Sequence, residues 1–273
     1  MRPSGMLLRM IAPATTVGAV HLTVADLARS LTYYTESIGL DVLGLGAGEA
    51  SLGAGGNELL RLVEEPGVRP ADGYTGLFHF ALLVPQRRDL AGWMQHAIRD
   101  RVQLTGASDH FVSEALYLRD PDHHGIEIYA DRPRRLWDGQ ADRIGTWPLD
   151  VDDLLATNTE PAAALPPGTR MGHVHLRVAD VEEAVRFYRD VVGFGLIAQL
   201  GDQAAFLSAG GYHHHLGANT WESRGAAPAP AGTARLTQFT IVVPDGEERD
   251  RIGAAVGGEL RDPSGNAFVL ELA

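Results

Sequence analysis

One nine-residue phrase occurs twice in this chain. Gly18-Ala-Val-His-Leu-Thr-Val-Ala-Asp26 returns 154 residues later as Gly172-His-Val-His-Leu-Arg-Val-Ala-Asp180, with seven of nine positions identical. The residues after each copy match in pattern as well. Leu27, Leu31, Tyr34 and Ile38 fall at i, i+4, i+7 and i+11, and so do Val181, Val185, Tyr188 and Val192. That spacing places four apolar side chains on one face of a helix. Asp26 and Asp180 stand where an N-cap belongs, and Gly39 and Gly193 where a helix needs a residue able to turn left-handed. Each half therefore opens with a strand, an N-capped amphipathic helix and a glycine stop.

A weaker repeat lies inside each half. Phe78-His-Phe-Ala-Leu-Leu-Val-Pro85 parallels Thr237-Gln-Phe-Thr-Ile-Val-Val-Pro244. Each half later reaches an Asp-Pro turn, Asp120-Pro121 and Asp262-Pro263, and then an apolar run, Gly125–Tyr129 and Ala267–Glu271. The order predicts an α+β chain of four βαβββ modules at about 16–70, 75–131, 170–222 and 235–273. These make an N-terminal domain (16–131), a linker (132–169) and a C-terminal domain (170–273). The linker is rich in Pro, Ala and Asp, with a short helix expected near Asp152–Leu155. Modules of this kind form two curled mixed sheets whose concave faces can hold a ligand.

The charge narrows the partners. With 23 basic and 35 acidic residues the formal charge is −12, which argues against nucleic acid and anionic membrane surfaces. No apolar stretch is long enough to span a bilayer. Met1–Met10 lacks the apolar core of a signal peptide, so a cytoplasmic protein is expected. There is no cysteine, so any metal must be held by His, Asp or Glu. Eleven histidines are present, several adjacent, as in His123-His124 and His213-His214-His215.

These motifs resemble those of the vicinal oxygen chelate superfamily: glyoxalases, fosfomycin- and bleomycin-resistance proteins, and extradiol ring-cleaving dioxygenases. The resemblance rests on Gly172–Asp180 with Phe187-Tyr188 and Val192-Gly193-Phe194, and on Asp120-Pro-Asp-His-His-Gly-Ile-Glu-Ile-Tyr129. Ser113–Asp122, Tyr129–Pro133 and Gly210–Trp221 bring it nearest to two-domain bacterial catechol 2,3-dioxygenases. It implies one metal ligand on the first strand of each of two partner modules and a Glu on a last strand after Asp-Pro. Those positions are Ala19, His79, His173 and Gln238 on the first strands, and Glu127 and Val269 on the last strands of modules 2 and 4. The implied metal set is therefore His79, Glu127 and His173, with His175, two residues further along the same strand face, as the rival to His173. Two imidazoles and one carboxylate suit non-haem Fe(II), with Mn(II) as the alternative.

The extradiol branch further implies an acid–base His on the last strand of module 3, here within His213-His214-His215. The adjoining Leu216-Gly217-Ala218 favours His214. It also implies a substrate-orienting Tyr ten residues before the ligand Glu, which is Tyr117, with His110 as a further donor. The expected substrates are a small aromatic diol and O₂, and the expected product a 2-hydroxymuconic semialdehyde. A glyoxalase-like isomerase or thiol transferase, and a metal-free binding protein, are the competing readings. The ligand positions require module 2 to face module 3, either within one chain, as expected, or across a homo-oligomer.

Overall fold

A computed structural model describes residues 9–140 and 143–273; most of Met1–Met10, the stretch weighed as a signal peptide, lies outside them. The first module is β1 (Thr16–Val24), α1 (Leu27–Thr32), β2 (Asp41–Gly46), β3 (Glu49–Ala54) and β4 (Asn57–Glu64). After a two-residue β5 (Arg69–Pro70) the second comprises β6 (Gly76–Leu83), α2 (Arg87–Asp100), β7 (Gly106–Asp109), β8 (Ser113–Arg119) and β9 (Gly125–Asp131). The connecting segment holds β10 (Trp147–Pro148) and α3 (Val151–Leu155). The third module is β11 (Arg170–Arg177), α4 (Val181–Val185), β12 (Gly195–Leu200), β13 (Ala204–Ser208) and β14 (Leu216–Asn219). Beyond β15 (Thr233–Ala234) the chain ends in β16 (Leu236–Val243), α5 (Gly246–Val256) and β17 (Phe268–Leu272).

The capping logic of the repeat is visible in atoms. Asp26 accepts a hydrogen bond from the Arg29 amide and Asp180 from the Glu183 amide, so each carboxylate satisfies a donor that the first helical turn leaves free. Both helices then widen into π-helical turns, Tyr33–Ile38 and Arg186–Val192, which end at Gly39 (φ 90°) and Gly193 (φ 107°). An L side chain at either glycine would be strained in that left-handed conformation. The repeated tyrosines fix the helices to the Asp-Pro turns. Tyr34 donates to Asp120 at 2.8 Å and Tyr188 to Asp262 at 3.2 Å. Each aspartate also accepts two turn amides, from Asp122 and His124 or from Ser264 and Asn266.

Two curled mixed sheets result, and each takes strands from both halves of the sequence. The first runs β17-β16-β1-β4-β3-β2, joining modules 1 and 4. The second runs β10-β7-β8-β9-β6-β11-β14-β13-β12, joining modules 2 and 3 through the antiparallel pair β6/β11. The pairing of module 2 with module 3 is thus made within one chain. Buried aromatic side chains, among them Trp93, Tyr34, Tyr188, Phe80 and Phe239, fill the space between sheets and helices.

Two expectations need correction. Module 4 is not strand, helix and three strands: between α5 and β17 only an isolated bridge, Arg261 to Ala267, forms. Gly257 and Gly258, both at positive φ, and the Asp262 turn occupy that short stretch, leaving no room for a hairpin. The segment 132–169 is also more than a spacer. Its β10 extends the larger sheet, and Leu154 and Leu165 are buried in the core.

Candidate active site

The central strands of the nine-stranded sheet carry a cluster of histidine, glutamate and tyrosine side chains. Across them the register aligns Tyr117 with Glu127, Glu127 with Ala81, and Ala81 with His173. The next row pairs His79 with His175. Side chains in register across adjacent strands share a face, and so do residues two apart on one strand. His79, Ala81, Tyr117, Glu127, His173 and His175 therefore rise from one surface. Ala81, buried, sits between the Glu127 and His173 columns with only a methyl side chain.

Three of these side chains converge. His79 Nε2 and His173 Nε2 are 3.3 Å apart, and they lie 3.0 and 3.1 Å from the same oxygen, Glu127 Oε2. All three residues are buried. Among the described residues this is the one group of His, Asp and Glu whose donor atoms converge in this way, and His175 is not part of it. Adjacent ligands of a six-coordinate ion at roughly 2.1 Å are separated by about 3.0 Å, √2 times the bond length. The observed triangle has those dimensions, so the donor set fits one divalent ion bound on one face.

The electrostatics match that use. Burial pushes the His173 imidazole down to about 4, which keeps it neutral near pH 7 with a lone pair to give. Burial opposes the charge on Glu127, but the His173 and His79 rings outweigh it and hold the carboxyl well below its usual range. Neutral imidazole and ionised carboxylate are the forms that bind metal. His173 Nδ1 is buried with no partner among the described residues. A second hydrogen bond from that nitrogen is the usual complement of a ligating histidine, and it is missing here.

The triangle lies in the wall of a cavity of about 390 Å³. Phe78, Leu200, Phe206 and Trp221 give it an apolar side, while Tyr117, His110 and His214 supply polar atoms. His110 Nδ1 lies 2.7 Å from the Gly145 carbonyl, which can only accept, so that nitrogen is the donor. In a neutral ring Nε2 is then an acceptor, and Tyr117 donates to it at 2.6 Å. Burial and the nearby Glu127 charge keep the Tyr117 phenol well above its ordinary value, so it remains a hydroxyl.

His175 also lines the cavity, with its Nε2 buried and unpartnered among the described residues. Its ring stands over Gly217, where an added Cβ would come within 2.7 Å of it. The equivalent His21 in the other sheet has a partner, since Gln238 Nε2 donates to His21 Nδ1 at 3.2 Å.

The His213–His215 triplet is not in the last strand of its module, as expected from sequence. β14 starts at Leu216, and the triplet lies in the connection after Gly210 and Gly211, both at positive φ. Of the three, His214 lines the cavity, with its ring centroid 4.1 Å from that of His173. His215 turns away, its Nδ1 accepting from the Ala209 amide. Ala81 and the apolar wall are absent from the residues expected from sequence. A signal for Ala81 was present: a small residue between two ligand-bearing strands.

The description of the family model that matches residues 16–128 and 170–248 is the glyoxalase/bleomycin resistance protein/dioxygenase superfamily. Over 252 residues, 89% of this chain and 87% of the relative, the sequence is 43% identical to a catechol-2,3-dioxygenase of Bacillus subtilis strain 168. Among solved structures, glyoxalase I from Zea mays shares the fold with a TM-score of 0.58 at 19% identity, covering 94% of this chain and 92% of that one. A provisionally assigned dioxygenase of Bacillus subtilis strain 168 does so with a TM-score of 0.63 at 16% identity, covering 94% and 85%.

Proposed function

The chain belongs to the glyoxalase/bleomycin resistance protein/dioxygenase superfamily, and on that footing we propose that it is an extradiol dioxygenase that uses O₂ to open a catechol ring beside its two hydroxyl groups. The observation that carries the reading is the triangle of His79 Nε2, Glu127 Oε2 and His173 Nε2 set in the wall of a cavity with one apolar side. The named activity of the Bacillus relative supports it. Among the described residues three donors converge, without the fourth protein ligand that the isomerase reading calls for.

His79, Glu127 and His173 would hold the ion, Fe(II) with Mn(II) as the alternative. Bound there, it would bring the diol and O₂ together and carry charge between them. The rest is work for the protein. Phe78, Phe206 and Trp221 enclose the flat ring and keep water from it. Tyr117 donates to His110 and keeps its own oxygen lone pairs for a substrate hydroxyl, which orients the diol. His214 is the base that takes the catechol proton and the acid that returns one as the ring opens. Burial, then the neighbouring imidazoles, hold it well below its ordinary value, so near pH 7 it starts in the form that accepts.

Catechol mixed anaerobically with the Fe(II)-loaded protein and then exposed to air should give the yellow 2-hydroxymuconic semialdehyde. A colourless result with catechol and simple substituted catechols, at stoichiometric iron, would overturn the reading.

A further inference from the structure

His214 is not held by its own contacts alone. Its Nδ1 lies 2.8 Å from His213 Nδ1, and His213 Nε2 lies 2.9 Å from Asp131 Oδ1. Asp131 is the last residue of β9, four beyond Glu127 and on the same strand face, so one strand presents both carboxylates to the site. His213 is buried between two aromatic rings, Tyr212 at 3.9 Å and Trp137 at 5.6 Å between centroids. Tyr212 Oη also lies 3.0 Å from Asp131 Oδ2 and 2.8 Å from Tyr129 Oη.

Donor and acceptor bookkeeping along this line has one solution for neutral rings. An ionised Asp131 can only accept, so His213 carries its proton on Nε2. His213 Nδ1 then has a lone pair and no proton, and the 2.8 Å contact requires the proton to sit on His214 Nδ1. His214 Nε2 is left as the bare nitrogen in a ring that lines the cavity. Tyr129 donating to Tyr212, and Tyr212 to Asp131, complete the same direction. We propose that Asp131 and His213 are positioning residues that fix His214 in the Nδ1–H tautomer, with the Nε2 lone pair available to the substrate. This rests on the reading of His214 as the acid–base group, and it explains why two adjacent histidines are needed where one does the chemistry. A tautomer fixed through a neighbouring ring serves the purpose of the carboxylate behind a catalytic histidine in serine proteases.

The test uses the full chain labelled with ¹⁵N-histidine and loaded with Zn(II) as a diamagnetic probe. Long-range ¹H–¹⁵N spectra at neutral pH should show His214 as Nδ1–H and His213 as Nε2–H. In His213→Gln the amide oxygen can still accept from His214 Nδ1 and the amide nitrogen can still donate to Asp131. That variant should keep the His214 tautomer and hold kcat within about tenfold. His213→Leu keeps bulk but no acceptor. It should mix the tautomers and lower kcat toward the 10²–10⁴-fold loss of a missing acid–base group, with little change in KM. A His214 ring protonated on Nε2 in the unaltered protein, or equal losses in the Leu and Gln variants, would overturn the proposal. The spectra are read without turnover, so the tautomer is decided even if the iron-loaded protein leaves every catechol intact, a result that would count against the dioxygenase reading alone.

Discussion

At the scale of single residues, His79 Nε2, His173 Nε2 and Glu127 Oε2 meet because neighbouring strands present them on one face in register. His79→Ala and Glu127→Ala each break the triangle, and either should leave a folded protein that binds less than a stoichiometric divalent ion and has no activity. His21→Ala, in the other sheet, is the control and should behave as the unaltered protein. Metal analysis with circular dichroism checks all three; full metal content in either site variant would remove the triad. His214→Ala should keep its metal and lose turnover by roughly 10²–10⁴-fold, the scale of an acid–base group, and Tyr117→Phe should lose less. Loss of metal from His214→Ala would instead make that residue a ligand. Acid should also weaken the metal-free fold. Burial holds His173 at about 4 and His215 at about 3, against 6.5 for a free imidazole. The unfolded chain therefore takes up protons first as pH falls below 6.5, and stability is lost in that direction. By pH 5 each ring should contribute a loss of about 2 kcal/mol. Melting temperatures of the metal-free protein between pH 7.5 and 5 test this, and a flat profile would contradict it. The grouping of His79, Glu127 and His173 was expected from the resemblance, which places a His on a first strand and a Glu on a last strand, and the sheet does bring these three side chains together. The different surroundings of His213, His214 and His215 were not readable, because Asp131 is brought to His213 only by the sheet.

At the scale of elements, a residue with almost no side chain stands in the register between two members of the triangle. Ala81 stands between Glu127 and His173 in the register, on the strand that also carries His79. Ala81→Leu would insert a branched side chain where the three donors converge. It should abolish metal binding while all three donors remain in the sequence, and overpacking there should destabilise the fold by roughly 1–3 kcal/mol. Metal titration by calorimetry, with a denaturation curve, separates the two effects; unchanged affinity would show that the space lies elsewhere. The helices were readable to their caps, since Asp26, Asp180, Gly39 and Gly193 act locally. The missing hairpin of module 4 was not readable by analogy with its sister modules. Its Asp-Pro turn is kept for Tyr188 even though the strands that should precede it are absent.

At the scale of the molecule, the four modules close into a ring of contacts. The sheets join module 1 to 4 and 2 to 3, while the Tyr34–Asp120 and Tyr188–Asp262 bonds join 1 to 2 and 3 to 4. Cutting between residues 140 and 143 would part β1 from β16 and β6 from β11, and also the short pairs β7/β10 and β5/β15, so each half would expose two long unsatisfied strand edges, β1 and β6 in one, β11 and β16 in the other. Either half alone should aggregate or remain unfolded, and co-expression of both should restore one soluble complex that binds metal. Size-exclusion chromatography with metal analysis distinguishes these outcomes, and a monomeric, well-folded half would refute the account. The same pairing sets a clock on biosynthesis. His21 lies against Gln238, 217 residues later in the chain. At about 5–20 residues per second, a ribosome needs roughly 10–40 s to deliver the second after the first. Throughout that interval β1, an apolar strand, waits beside an open edge, so the nascent chain depends on being kept from its neighbours until its last strands arrive.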